Sequence, residues 1–505
     1  MKMLVGAGWL AAGVFVGTCV PAACADWLQF NYDAAHGGNN ALEHAISTSP
    51  GPANVSTLRP IRHVTLSNVV DGAPAFVAGV STAFGAKDLL FLTTRNGELL
   101  AVDASTGESI WSRHPATGPR YTTSSPAVDP ARQFVYSYGL DGYVHKYGVN
   151  DGAETTAGGW PQLATLKPDI EKGSSALTIA TAQDGSSYLY VANGGYPGDA
   201  GDYQGHITAI NLGTGTQNVF NANCSDQTVH FVELALPDCA RVQSAIWARP
   251  GVVYDAGTDR IYMATGNGPF DGNSGSAPNH DWGDSVLALS PSGTGAGGSP
   301  LASYTPTDYQ ALQDSDQDLG STAPAILPVP VSSAFRHLAA QSGKDAKIRL
   351  LNLDSLGGLA GVGHLGGELQ IINLPQGGEI LTQPAVWFNR VDSSTWLFIA
   401  NGNGIAGLQL VMGTTGIPAL SPRWHVMDSG TSPIVANGIV FYAGSAGLTA
   451  RDPVSGNLLW NDGSIGGVHW QSPIVVNGTL YVTDQSGQLW MYAVDQIFRD
   501  GFDPS

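Results

Sequence analysis

Three carboxylates crowd one short loop, Asp314-Ser315-Asp316-Gln317-Asp318. Oxygen donors so placed suit a bound cation, and they equally suit a solvated acidic turn. His469-Trp470 stands just before an apolar run near the end of the chain, where a histidine either faces a channel or serves the structure. His364 and His425 are more isolated, and no Ser-His-Asp set or carboxylate pair can be assembled by spacing. No Gly-rich phosphate loop opens a helix, and no Cys-x-x-Cys-His haem attachment site occurs, so any electron carrier must be a separate molecule.

The elements that must position these residues are repeats. Ala101 to Trp111 reads Ala-Val-Asp-Ala-Ser-Thr-Gly-Glu-Ser-Ile-Trp, and Ala450 to Trp460 repeats its small residue, acid, Ser/Thr-Gly turn and Trp at the same offsets. Before the first copy, Asp88 to Thr94 is an apolar strand, Asn96-Gly97 a two-residue hairpin turn requiring positive φ, and Leu99 to Val102 the return strand. Such sheets cannot bury both faces alone, which is how the blades of a β-propeller read. The Trp is expected to pack between blades and the Asp to bond the turn backbone. Eight small or Pro-containing openings precede apolar runs, at Ala73-Pro74, Ser125-Pro126, Ser175-Ala176, Arg249-Pro250, Ala323-Pro324, Gln383-Pro384, Ser432-Pro433 and Ser472-Pro473. They predict an all-β, eight-bladed propeller over residues 26–495. A ring must not leave two sheet edges open, so the segment from Asp26 through a strand near His63 to Leu66 is the expected closing element. Long insertions at Asn218 to Gln243 and Gly268 to Trp282 exceed what a turn requires and are either functional or decorative.

Composition agrees. With 65 Gly, 30 Pro and 12 Trp in 505 residues and 12% charged residues, the chain favours short strands and tight turns. A formal charge of -19 with 22 Lys and Arg argues against a nucleic-acid partner. Met1-Lys2, the apolar run Leu4 to Val20 and Ala23-Cys24-Ala25 predict a secretory signal cleaved after Ala25, with export to the periplasm or beyond. A lipoprotein anchor on Cys19 or Cys24 fits the flanking residues less well, and no later stretch is long and apolar enough to span a bilayer. In an exported chain, Cys224 and Cys239 suggest a disulfide stapling one excursion. A monomer is expected, and 496–505 forms an aromatic tail.

The Ala-x-Asp-x-x-Thr-Gly-x-x-x-Trp pattern, the Trp27 to Asn39 opening and Asn54 to Pro60 together resemble the repeats of the quinoprotein family, eight-bladed propellers that bind pyrroloquinoline quinone (PQQ). The resemblance spans essentially the whole chain after residue 25. It implies that Trp247 is the floor on which the quinone stacks and that Asn267 is a calcium ligand. It also implies that Asp318 is both calcium ligand and catalytic base, and that Lys344 bonds the quinone oxygens. Two positions depart from the family pattern: Tyr196 replaces a calcium-binding Glu and Gln204 replaces a PQQ-binding Arg. Asp199 or Asp202 would have to supply the missing metal ligand, and a neutral Gln cannot make the bidentate contact. The vicinal cysteine pair of the alcohol dehydrogenases is also absent, because Cys224 and Cys239 are far apart in sequence.

Two readings follow. One is a PQQ- and calcium-dependent oxidoreductase acting on a small alcohol or sugar; the other is a non-catalytic propeller that holds a protein or glycan partner. They differ in whether Trp247, Asn267, Asp318 and Lys344 meet at one axial cavity.

Overall fold

The computed structural model describes residues 26–45, 48–116, 120–226, 239–272 and 280–495. The predicted signal at 1–25 and the tail at 496–505 lie outside them. Eight sheets form the ring, and each expected opening leads into an innermost strand. In order these strands are Ala75–Thr82, Ala127–Val128, Thr178–Thr181, Val253–Asp255, Ala325–Leu327, Ala385–Asn389, Ile434–Ala436 and Ile474–Val476. Within the first blade, Leu89, Leu90, Phe91 and Leu92 are fully buried, since neighbouring blades cover both faces. The outer strand Ser109–Arg113 instead buries Trp111 alone.

The repeat motif works as its chemistry suggests. Asp103 Oδ1 accepts the Ser105 amide at 2.8 Å, and Asp452 Oδ1 accepts those of Val454 and Ser455 at 3.0 and 2.7 Å. Trp111 crosses to the second blade, where its indole N–H donates to the Val149 carbonyl at 3.2 Å. In the hairpin only Gly97 takes a positive φ, of 82°, because the Thr94 amide bonds the Glu98 carbonyl and closes a longer turn than the two-residue form expected.

Ring closure differs in detail from the sequence reading. Leu58–Thr65 is the outer strand of the last blade, antiparallel to Gln488–Val494, while Asn39–Asn40 joins the seventh blade. Residues 27–38 are not a strand. They cross the ring from below, with Trp27 paired to Phe76, the Leu28 carbonyl accepting the Val128 amide and Gln29 bonded to Ile179. The carbonyls of Ala34, Gly37 and Gly38 then accept the amides of Tyr254, Val386 and Val435. These contacts fall inside the innermost strands, downstream of their openings. Positive φ at Asn31, Tyr32 and His36 gives the segment its irregular path. His36 is fully buried between the Phe30 carbonyl and the Thr178 hydroxyl, and burial lowers its pKa to about 4.

The first insertion begins later than expected, since Gln217–Asn221 is the outer strand of the third blade. Cys224 and Cys239 are joined by a disulfide with Cα atoms 6.0 Å apart. Residues 227–238 and 273–279 of the two insertions are outside the described set. Among the described residues no helix is long and apolar enough to cross a membrane.

Candidate functional site

The residues just before the innermost strands turn toward the axis, and there they enclose a cavity of about 330 Å³. Trp247, Asp318 and Lys344 line it together with Tyr196 and Asp199. Asn267 reaches the group through Asp318.

Asp318 sits on the loop ahead of the short helix Leu319–Ser321 and is 8% exposed. Its Oδ1 accepts the Asn267 amide at 2.6 Å, and its Oδ2 lies 2.5 Å from the Lys344 ammonium. Burial raises the Asp318 pKa, and this outweighs the opposing pull of Lys344 and the Asn267 amide. At Lys344 burial also works against the charge, but Asp318 and then Asp316 overcome it and raise the pKa. The Lys344 ammonium lies 5.5 Å from the centre of the Trp247 ring. Asp316 bonds both Lys344 and the Asn267 side-chain amide, at 3.1 and 3.2 Å. The buried Asn267 Oδ1 atom has no partner among the described residues.

Beneath this group, buried Asp284 accepts the Leu319 amide at 3.0 Å, and burial raises its pKa well above the usual carboxylate range. Asp284 thus anchors the turn that presents Asp318. Gly266 permits the approach of the two loops. A Cβ there would stand 2.3 Å from Asp318 Oδ1 and 3.2 Å from the Trp247 indole nitrogen. Gly266→Ala is therefore expected to cost about 1–3 kcal/mol by overpacking and to displace the carboxylate. Gly402→Ala, which meets nothing within 4 Å, is expected to leave the melting temperature unchanged and serves as the comparison in the same thermal denaturation.

The remaining sequence candidates fall in different places. Tyr196 forms cavity wall where the resemblance sets a Glu, and its hydroxyl donates to the Pro168 carbonyl at 3.2 Å. Asp199 is exposed at the rim and accepts the Tyr203 hydroxyl at 2.6 Å. Asp202 does not line the cavity; its carbonyl accepts Lys167 at 2.6 Å. Gln204 is buried off the cavity, bonded through its side chain to Lys167 and to the Arg241 carbonyl. His469 does line the cavity, held by Asp71 at 2.8 Å, while His364 and His425 do not.

Sequence reasoning missed Lys172 and Arg249, two buried cations in the same cavity wall. One signal was present: Arg249 is the only charged residue at the head of the eight strand openings. A second, larger cavity of about 630 Å³, walled by glycine-rich turns of the sixth to eighth blades, shares Leu381, His469 and Trp470 with the first.

Comparison with known proteins gives the same architecture. The PQQ-type repeat family described as outer membrane protein assembly factor BamB matches residues 54–228. Quinohemoprotein alcohol dehydrogenase ADH IIB of Pseudomonas putida is 28% identical over 145 residues. That match spans 26% of this chain and only 20% of the relative. Among solved structures, quinohemoprotein alcohol dehydrogenase ADHIIG of Pseudomonas putida HK5 superposes with a TM-score of 0.62 at 14% identity, over 93% of this chain and 80% of the other. A europium-containing methanol dehydrogenase gives 0.62 at 14% identity, over 93% and 98%. At such identities the likeness establishes the fold.

Proposed function

On a propeller whose repeats resemble those of the quinoprotein dehydrogenases, we propose that the axial cavity is the active site of an exported oxidoreductase. Its substrate is an alcohol or a sugar, and its electrons pass to a separate acceptor. The observation that supports this reading is convergence. Trp247, Asp318 and Lys344 come from three different loops and line one cavity, with Asn267 bonded to Asp318.

The residues suit a planar, carboxylated quinone. Trp247 offers an aromatic wall, Lys344 an ammonium, and Lys172 and Arg249 two cations without a carboxylate of their own among the described residues. Bound there, PQQ would supply the two-electron acceptor for hydride from the substrate carbon. This chain's residues supply the proton chemistry. Asp318 takes the hydroxyl proton, burial raises its basicity, and the Asn267 amide on Oδ1 and the Lys344 ammonium beside Oδ2 fix how the carboxylate is presented. Lys344 holds the carboxylate in place.

Calcium suits these residues less well. Asp318 and the unpartnered Asn267 Oδ1 supply two oxygens, short of the six to eight that calcium takes. The Lys344 ammonium occupies the neighbouring position, and no cluster of three acidic, His or Cys ligands forms among the described residues. The metal half of a quinoprotein site therefore does not fit.

The test is a titration of metal-free protein with PQQ, with and without calcium, followed by Trp fluorescence and quinone absorbance. Saturable binding that needs little or no calcium supports the reading. Absence of binding at every calcium level would sink it and favour a propeller that holds a protein or glycan partner, a role consistent with the burial of Gln204 in a structural network. Export is part of the same proposal: the protein recovered from the periplasm or medium is expected to begin at Asp26 and to behave as a monomer in light scattering.

A further inference from the structure

Two side chains in the cavity wall carry charge with no ion-pair partner among the described residues. Lys172 is 5% exposed and Arg249 3%, and neither forms an ion pair among the described residues. Among the described residues the Lys172 ammonium meets the Thr123 hydroxyl at 3.5 Å and the face of Tyr121 at 4.3 Å. Arg249 donates to the Thr123 hydroxyl and to the carbonyls of Ser174 and Thr123, at 3.3, 3.1 and 2.8 Å, while its buried Nε has no partner among the described residues. Its guanidinium sits within 5.9 Å of the Phe30 ring and 5.5 Å of the Trp470 ring.

Asp71 is the acid that acts on both, and it is already engaged by His469, the Trp470 amide and Gln485. Burial, and then the charge of Arg249, lower the Lys172 pKa to about 7, and burial lowers that of Arg249 to about 10. Unpaired buried cations side by side destabilise a fold, so a site that keeps them is arranged for a charge it receives from outside.

We propose that Lys172 and Arg249 form an oxyanion site that takes a carboxylate group of the cavity's ligand, while the Thr123 hydroxyl, which donates to the Ser174 carbonyl at 2.9 Å, helps to hold the two cations in place. The ammonium and the guanidinium offer charge-assisted donors, and a carboxylate has lone pairs enough for both. Tyr121 and Trp470 give that end of the cavity flat walls. The carboxylate comes either from a polycarboxylated cofactor such as PQQ or from an acidic substrate. The site stands whichever source is correct, because it rests on these two residues and not on the quinone.

Thermal denaturation of the full-length mature protein with malonate or PQQ as probes tests it, at pH 6 and pH 8. Lys172→Met keeps the volume and removes the charge. The variant without ligand is expected to melt at or above the wild-type temperature, since an unpaired buried cation is gone, yet to bind either probe on the order of tenfold more weakly or worse. For wild type, affinity is expected to fall from pH 6 to pH 8 as Lys172 loses its proton in the field of Arg249, Arg95 and Asp71. Stabilisation by PQQ alone, lost in Lys172→Met, assigns the carboxylate to the cofactor. Stabilisation by malonate but not PQQ supports the oxyanion site while the quinone reading fails. No response of wild type to either probe, or equal responses in wild type and variant, overturns the proposal.

Discussion

Asp318→Asn is expected to lower turnover of the PQQ-loaded protein by on the order of 10²–10⁴ while leaving the melting temperature nearly unchanged. The amide keeps an acceptor for the Asn267 N–H, so the loop geometry survives. What is lost is the proton acceptor. Stability changes little because burial already disfavours the Asp318 charge, and because Lys344 retains Asp316 at 3.1 Å. Steady-state rates with an artificial electron acceptor, read beside a melting curve, separate the two effects. A variant that keeps wild-type turnover would remove Asp318 from the chemistry.

The same residue fixes the direction of the pH dependence. Its pKa is raised in the fold, so the acid limb of turnover is expected above the ordinary aspartate value of 3.8, with rate lost as pH falls through it. Stability runs the other way. A carboxyl with a raised folded-state pKa holds its proton more tightly in the native state. Its contribution is complete below the unfolded value and is lost as pH rises through the folded one. Asp284 and Asp318 both add to that trend.

The second large effect is structural. Trp27→Ala is expected to destabilise the protein by about 4 kcal/mol, a large part of the ~5–15 kcal/mol that holds a domain together. Trp27 is fully buried, pairs with Phe76 through both backbone groups and packs edge-on against Tyr32 at 5.2 Å. It belongs to the core cluster that ties the first blade to the last two. Losing it loosens the seam of the ring, which chemical denaturation would show as a lower midpoint. A loss under about 1 kcal/mol would mean that the seam is held by Leu58–Thr65 alone.

How much of this was legible in the sequence depends on whether the signal was local. All eight strand openings were readable, because a small residue followed by an apolar run records a buried strand without reference to its neighbours. The crossing segment at residues 27–38 was not. Its path is set by backbone bonds to several different blades and by positive φ at Asn31, Tyr32 and His36, and no period in the sequence encodes that. The same division holds at the site. Trp247, Asn267, Asp318 and Lys344 were reached because they lie on motifs that resemble a family. Lys172 and Arg249 meet only when the third and fourth blades are set side by side, so their pairing is a property of the ring. The positive charge that Gln204 lacks reappears in those two residues.

The segment under the axis has a consequence for traffic. Because residues 27–38 bond the innermost strands of six blades downstream of the cavity, that segment bridges the axis on the side away from the glycine-rich turns. On the proposed reading, what enters does so from the turn side and leaves by it. If the cavity is the proposed active site, product and electron acceptor share that side. With the cofactor carrying the electrons between two half-reactions there, the expected kinetics are double displacement, with parallel reciprocal plots and each reactant inhibiting competitively against the other at high concentration.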